Sequence, residues 1–311
     1  MFFLQMRCLG YLGTIWRGGI IVLSLFVFAE TTSLYAQKLS PDEIIARHIA
    51  SIGNADLISR SKRLMAIGSS EFVRHRPEQH VPGRAVLASD GSDMAFFSTF
   101  DSTDYPMERI GLFNDKVNIP TVKMGSRSPL GGFLKSWDKT LDGRIFGGVI
   151  LSTWRFLSSS TLPGKFETEG KKKIGDREVW VLSYTPKAGL TGGSTIKLFF
   201  DAGNFQHVRT VYRQKEAENA FGGTSNTVGA TKDTLNSWNS GMANNDFTLT
   251  EDYSDIRGDI GLALPHEYSI TLVVDGHTGT TEFTWNFAIQ EYRLIKQFPG
   301  DFFTFKGASA G

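Results

Sequence analysis

The 311-residue sequence contains a single cysteine, Cys8. A disulfide-stapled secreted module is therefore excluded, and stability has to come from burial. Cys8 precedes the N-terminal apolar run instead of following it behind small residues, which excludes a lipidation site as well. Cofactor signatures are also missing. There is no Gly-x-Gly-x-x-Gly, no phosphate loop with Gly-Lys-Ser/Thr and no His-Glu-x-x-His, so the sequence signals of dinucleotide, phosphate-cradling and zinc-peptidase chemistry are absent. No cofactor is implied. Nor is there an excess of one charge: the formal net charge is +1, and nothing in it resembles a nucleic-acid or other polyanion binder.

What the N-terminus does contain is an export signal. Arg7 and Arg17 flank short apolar runs, and Gly18–Ala29 is an uncharged hydrophobic stretch of twelve residues, closed by Glu30 and followed by Thr31-Thr-Ser-Leu-Tyr-Ala36. A spanning helix needs about 20 apolar residues, so this length fits a signal peptide over residues 1–36 with cleavage after Ala36. Residues 37–311 are then the working protein, in the periplasm or cell envelope. An uncleaved anchor, with Phe2 to Tyr11 extending the apolar length, is the alternative. Loss of Arg7, Arg17 and Glu30 takes the formal charge from +1 to zero, and residues 37–311 are long enough for one β-rich domain with a sizeable core.

The exported part opens on a helix. Ser40 is its cap, Pro41 its first residue, Glu43 completes a capping box, and Ile44, Ile45, Ile49 and Ile52 recur at helical spacing before Gly53. The period then changes to alternation, predicting strands over residues 64–74, 84–89, 94–100, 109–114 and 116–123, with turns at Pro82-Gly83 and Asp90-Gly-Ser92. Such short links make an antiparallel meander. Residues 129–157 break the pattern. Two helices are expected here, the second over Arg144–Ser158, nearly uncharged and softened by Gly147-Gly148, a cover more than a scaffold. Strands resume over 165–174, 178–184, 195–201 and 206–213. Residues 219–245, in which 17 of 27 are Gly, Ser, Thr or Asn, predict a long flexible loop. The last strands are expected over 247–256, 266–274, 280–290 and 291–297, and Phe283, Trp285, Phe287 and Ile289 share one face.

Candidate chemistry is sparse. His266-Glu267 lacks the second histidine of a helical zinc motif and follows Pro265 at a strand start. His75-Arg-Pro-Glu-Gln-His80 offers two imidazoles and a carboxylate, though in a loop with no matching third cluster. Glu251, Asp252, Asp255 and Asp259 do not have calcium-loop spacing and are expected to be solvated carboxylates of a strand and its turn. Lys171-Lys-Lys173 reads as a hairpin end, with an acidic headgroup or partner as the other possibility. The reading is of no enzyme. A hydrolase assembled from residues far apart in sequence stays open, because its members need only meet in space.

The segment Tyr253-Ser-Asp-Ile-Arg-Gly-Asp-Ile-Gly-Leu-Ala-Leu-Pro-His-Glu-Tyr-Ser-Ile270 resembles a recurring phrase of the bacterial outer-membrane lipoprotein-sorting carriers, the LolA/LolB-like family: a strand, a glycine, Leu-Pro-His, then another strand. Lys173–Leu182, Ile196–Asp201, the strand after Gly276 and the closing Phe302-Phe-Thr-Phe305 are similar to that family's successive hairpins. The resemblance covers residues 165–305, and the first half by order of elements. It implies a mainly β (α+β) fold, a strongly curved, unclosed antiparallel sheet or half-barrel, with helices covering the concave face. It further implies a monomeric carrier or binding protein for lipidated proteins or lipid acyl chains, with inner- and outer-membrane transfer partners. In that scheme Phe146, Ile150 and Trp154 are the lid, Phe96, Leu198, Phe200, Trp285 and Phe287 line the apolar cavity, and Arg74, Arg76 and Arg84 are candidates for the arginine that locks the lid. The residue-level alternative is that each of these apolar side chains is ordinary core, making the protein an envelope-associated structural or interaction module.

Overall fold

The computed structural model describes residues 38–122, 127–136, 144–158, 164–186, 194–215, 246–276 and 279–305. Residues 1–36 and 219–245, expected to be signal and loop, lie outside the described residues. The fold below is that of the unit Lys38–Gly311.

Twelve strands form one antiparallel sheet: β1 (Arg63–His75), β2 (Glu78–Asp90), β3 (Asp93–Phe100), β4 (Met107–Phe113), β5 (Lys116–Asn118), β6 (Gly164–Ile174), β7 (Arg177–Pro186), β8 (Thr195–Asp201), β9 (His207–Gln214), β10 (Asp246–Asp259), β11 (Leu262–Gly276) and β12 (Gly279–Leu294). Their order is β5-β4-β3-β2-β1-β12-β11-β10-β9-β8-β7-β6, so among the described residues the sheet is not closed and its edges are β5 and β6. Among the described residues the α-helices are α1 (Pro41–Ile52), α2 (Ala55–Arg60), α3 (Pro129–Ser136) and α4 (Arg155–Ser158). The expected capping box is present: Glu43 N donates to Ser40 Oγ at 3.3 Å, and Ser40 N to Glu43 Oε2 at 2.8 Å.

The sheet is strongly curved. β4 and β10 are six places apart in it, which in a flat sheet is roughly 29 Å at the usual strand spacing. Yet two residues of α3, a helix only about 12 Å long, reach both. A side chain at Gly131 would come within 3.3 Å of Glu108 on β4, and the Phe133 ring lies 6.1 Å from that of Phe247 on β10. Alternation puts one apolar set on the inside of this bend. A single core unites residues from every strand with α1, α3 and the segment from Ile145 to Leu157. The convex side has a smaller aromatic cover: Phe298 and Phe303 pack on Ala88 and Ala95, and Gly111 leaves room for the Phe305 ring, which an added Cβ would meet at 2.9 Å.

Four expectations need correction. Arg144–Ser158 is not one helix: it contains a 3-10 turn at Gly148–Ile150 and the single turn α4, because Gly147 and Gly148 take φ of +80° and +51°, outside the α-helical region. Pro82-Gly83 is not a turn but lies inside β2. The Pro82 carbonyl accepts from Asp101 N at 3.0 Å, just beyond the end of β3, so the missing N–H falls where no strand asks for it. Residues 279–294 make one strand where two were expected, and β5 is only three residues long.

Candidate functional site

The eight apolar residues singled out from the sequence converge on the concave side. Phe96, Ile150, Trp154, Leu198, Phe200 and Trp285 are fully buried, and Phe146 and Phe287 are 2% and 3% exposed. Phe96 joins Phe146 of the cover, 6.3 Å away, to Phe287 of the sheet, 5.2 Å away. Trp154 and Phe200 belong to a neighbouring group around His48 and His207. The interior is therefore continuous from β3 to β8 and is occupied by the protein's own rings.

Within this apolar surface the sheet carries polar groups that alternation alone brings inside. Phe247, Leu249, Glu251 and Tyr253 follow one another on the inner face of β10, and Glu251 is fully buried. That corrects the expectation of a solvated carboxylate. The other three acids of that group remain at the surface, Asp252 paired to Arg209, Asp255 to Arg257 and Asp259 to His266. Glu251 Oε2 accepts from the Tyr212 hydroxyl at 2.6 Å, and Oε1 accepts from the Tyr268 hydroxyl and from Gly147 N at 2.8 Å. Burial pushes its carboxyl above the usual range, and those hydrogen bonds oppose the shift. The same burial, with the carboxylate nearby, drives the Tyr212 and Tyr268 hydroxyls well above the ordinary tyrosine value.

Two buried histidines complete this group. His48 Nε2 accepts from Trp154 Nε1 at 3.1 Å, so Nδ1 carries the proton and donates to Phe205 O at 3.0 Å. Burial lowers its pKa to about 4, which matches a neutral ring. His207 Nε2 contacts Arg209 O at 3.0 Å and Thr210 Oγ1 at 2.9 Å, which leaves Nδ1. That nitrogen is buried and without a hydrogen-bond partner. The Tyr253 hydroxyl, directed at Glu251 and Thr210, is buried without closing a hydrogen bond of good geometry.

The cover, Arg144–Leu157, is attached by discrete polar contacts at both ends and along its length. Arg144 pairs with Asp115 at 2.6 Å, Gly147 N bonds to Glu251, Ser152 N donates to Ser89 Oγ at 2.8 Å, and Trp154 bonds to His48. Gly148 lies directly on Tyr253, whose ring an added Cβ would meet at 2.8 Å. A second buried polar chain stands at the other side of the interior: Trp285 Nε1 donates to Tyr105 Oη at 2.8 Å, and Tyr105 Oη to Glu108 Oε2 at 2.5 Å. Burial raises Glu108 to about 7 against those donors.

The remaining sequence candidates do not assemble into a centre. His75 contacts Thr284 and Glu282, while His80 contacts Glu71 and Glu78, all at the surface. His266 is buried and Glu267 is exposed on the opposite face of β11. Arg74, Arg76 and Arg84 sit at the β1–β2 hairpin and on the outer side of β2, away from the cover's polar contacts. Among the described residues no group of three or more His, Cys, Asp or Glu is placed to hold a metal. The one Gly-x-Ser-x-Gly match, Gly307 to Gly311, lies outside the described residues. A hollow of about 410 Å³ on the sheet is lined mainly by polar side chains, among them Ser69, Glu71, Glu267 and Asn286. It is not the apolar interior. Glu251, Tyr212, Tyr268, His48 and His207 were missed in the sequence, although the Phe-x-Leu-x-Glu-x-Tyr alternation of β10 already places Glu251 inside.

No protein-family model matches the sequence, and no curated protein does. Among solved structures the chain is similar to a LolA superfamily protein from Nitrosomonas europaea, with TM-score 0.44 and 12% identity over 85% of this chain and 97% of that one. It is similar to a domain named for outer membrane lipoprotein sorting from Vibrio parahaemolyticus, with TM-score 0.43 and 11% identity over 84% and 94% of the two chains. A DUF1329 family protein from Desulfovibrio piger also resembles it, with TM-score 0.43 and 11% identity over 84% and 96%.

Proposed function

We propose that the protein is a carrier or binding protein of the periplasm or cell envelope, exported by its N-terminal segment, which shelters the acyl chains of lipoproteins or lipids between the concave sheet face and its cover and moves them across the envelope. The observation that carries this reading is the cover itself. A permanently filled half-barrel is most simply closed by a regular amphipathic helix. Here the closing segment is a glycine-jointed, irregular stretch, Arg144–Leu157, fixed to an apolar face by a few separable polar contacts.

The energetics suit carriage. Each methylene withdrawn from water is worth about 0.8 kcal/mol, so a sixteen-carbon chain supplies on the order of 12 kcal/mol before ordering costs. The chain takes over the apolar face that the cover leaves and so offsets the cover's lost burial, while the cover's polar contacts each contribute about 1 kcal/mol. Phe146, Ile150 and Trp154 move with the cover in this reading, and Phe96, Leu198, Phe200, Trp285 and Phe287 stay on the sheet and receive the chain. The partners are then lipidated proteins or lipids and the membrane components that load and unload them. Among the described residues no helix is long and apolar enough to cross a membrane.

A second reading is favoured by one observation, the near-complete burial of those eight side chains. On that reading the core is permanently filled and the protein is an envelope-associated interaction module. Native mass spectrometry of protein isolated from a cell envelope, before and after lipid extraction, separates the two. The carrier reading predicts a lipid-sized adduct lost on extraction, and uptake of a neutral environment-sensitive naphthylamine probe afterwards. A single unliganded mass together with no probe uptake contradicts it.

A further inference from the structure

The polar groups buried beneath the cover centre on one acceptor, Glu251. Both oxygens of Glu251 accept, from Tyr212, Tyr268 and Gly147 N. Beside Tyr253, whose ring is 4.6 Å away, lies His207. His207 itself is held neutral by burial. The groups facing Glu251 are thus three tyrosine hydroxyls and one backbone N–H, with no cation among them. The nearest charged pair, Arg209 with Asp252, is part-exposed, and Asp252 alternates with Glu251 onto the outer face.

The backbone donor belongs to the cover and the three hydroxyls belong to the sheet. Any movement of the cover that admits a chain therefore withdraws the Gly147 N–H from Glu251 while leaving the carboxyl in apolar surroundings. A buried acceptor that loses a donor is penalised unless the donor is replaced. A ligand head with an N–H or O–H replaces it. A carboxylate or phosphate head brings acceptors only and meets Glu251 without intervening water.

We infer that the interior selects amphiphiles whose head, next to the acyl chain, is an uncharged hydrogen-bond donor such as an amide or a hydroxyl, and that Glu251 rejects free fatty acids and other anionic heads. This rests on the carrier reading of the previous subsection.

Three sixteen-carbon competitors that differ only in the head test it: hexadecanamide, hexadecanol and hexadecanoate, each displacing the neutral naphthylamine probe from delipidated wild-type protein at pH 8. The amide and the alcohol are expected to displace it at concentrations at least about tenfold below the acid, the factor that one lost charged hydrogen bond carries. In Glu251→Gln, which keeps the shape without the charge, the gap narrows because the acid improves. Equal or better competition by the acid in the wild-type protein overturns the inference alone. Failure of all three to displace the probe, or of the probe to enter, overturns the carrier reading and the inference with it. The wild-type comparison stands whether or not the variant folds.

Discussion

Gly147 N donates to Glu251 Oε1 at 2.8 Å, joining a glycine of the cover to an acid on the central inner face of the sheet, 104 residues away in sequence. Replacing Glu251 by Ala leaves that N–H and the hydroxyls of Tyr212 and Tyr268 without their acceptor. Each orphaned group costs about 1–3 kcal/mol, so urea unfolding should show a loss of roughly 3 kcal/mol or more. Glu251→Gln, which keeps one carbonyl oxygen, should lose clearly less. Equal, small losses in both variants would mean that the carboxyl anchors nothing.

Glu108 provides a pH test with a definite sign. Its pKa rises from 4.5 to about 7 on folding because it is buried, so between those values the folded protein holds a proton that the unfolded chain has released. Stability therefore falls as pH rises through that window, with the loss complete above about 7. Against Glu108→Gln, which cannot ionise, the wild-type protein should lose on the order of 3 kcal/mol between pH 4.5 and 8. His48 acts in the opposite sense: its pKa falls from 6.5 to about 4, and its contribution is lost as pH drops through that interval. Urea midpoints of wild type and Glu108→Gln that shift in parallel with pH would contradict the assignment.

The break in the cover rests on Gly147. At φ +80° an added Cβ would also lie 2.4 Å from Leu151 Cδ1. Gly147→Ala should destabilise the fold by about 1–3 kcal/mol. Gly175 has φ +58° and open space around it, so Gly175→Ala reports the left-handed backbone contribution alone and should cost less. The difference between the two thermal midpoints isolates the steric part, and identical shifts would argue against the packing of Leu151 on Gly147.

Much of the scaffold was legible because it is written locally. Ser40, Pro41 and Glu43 spell a capped helix, and the alternation from Glu282 to Ile289 places Phe283, Trp285, Phe287 and Ile289 inside, where they are buried. The cover was misread because Ile145, Phe146, Val149, Ile150 and Trp154 have helical spacing, and spacing does not register that the two glycines between them adopt left-handed backbone angles. Pro82-Gly83 misled in the opposite direction, since its tolerance depends on where β3 ends, a tertiary fact. Glu251 was assigned to solvent on residue type, although its position in the β10 alternation pointed inward. The polar partners that let it stay there, Tyr212, Tyr268 and Gly147, come from three other parts of the chain, and no spacing rule gathers them.

The most direct test of the account asks whether the cover has to move. Ser152 Oγ and Ser89 Oγ are 2.9 Å apart, one on the cover and one on the inner face of β2, a separation from which a disulfide can form. No cysteine follows Cys8, so a Ser89→Cys, Ser152→Cys pair in residues 37–311 has no competing thiol. With the pair oxidised, uptake of the naphthylamine probe should fall at least about tenfold and return on reduction. Undiminished uptake with the disulfide closed, or no uptake in either state, contradicts a carrier whose cover opens.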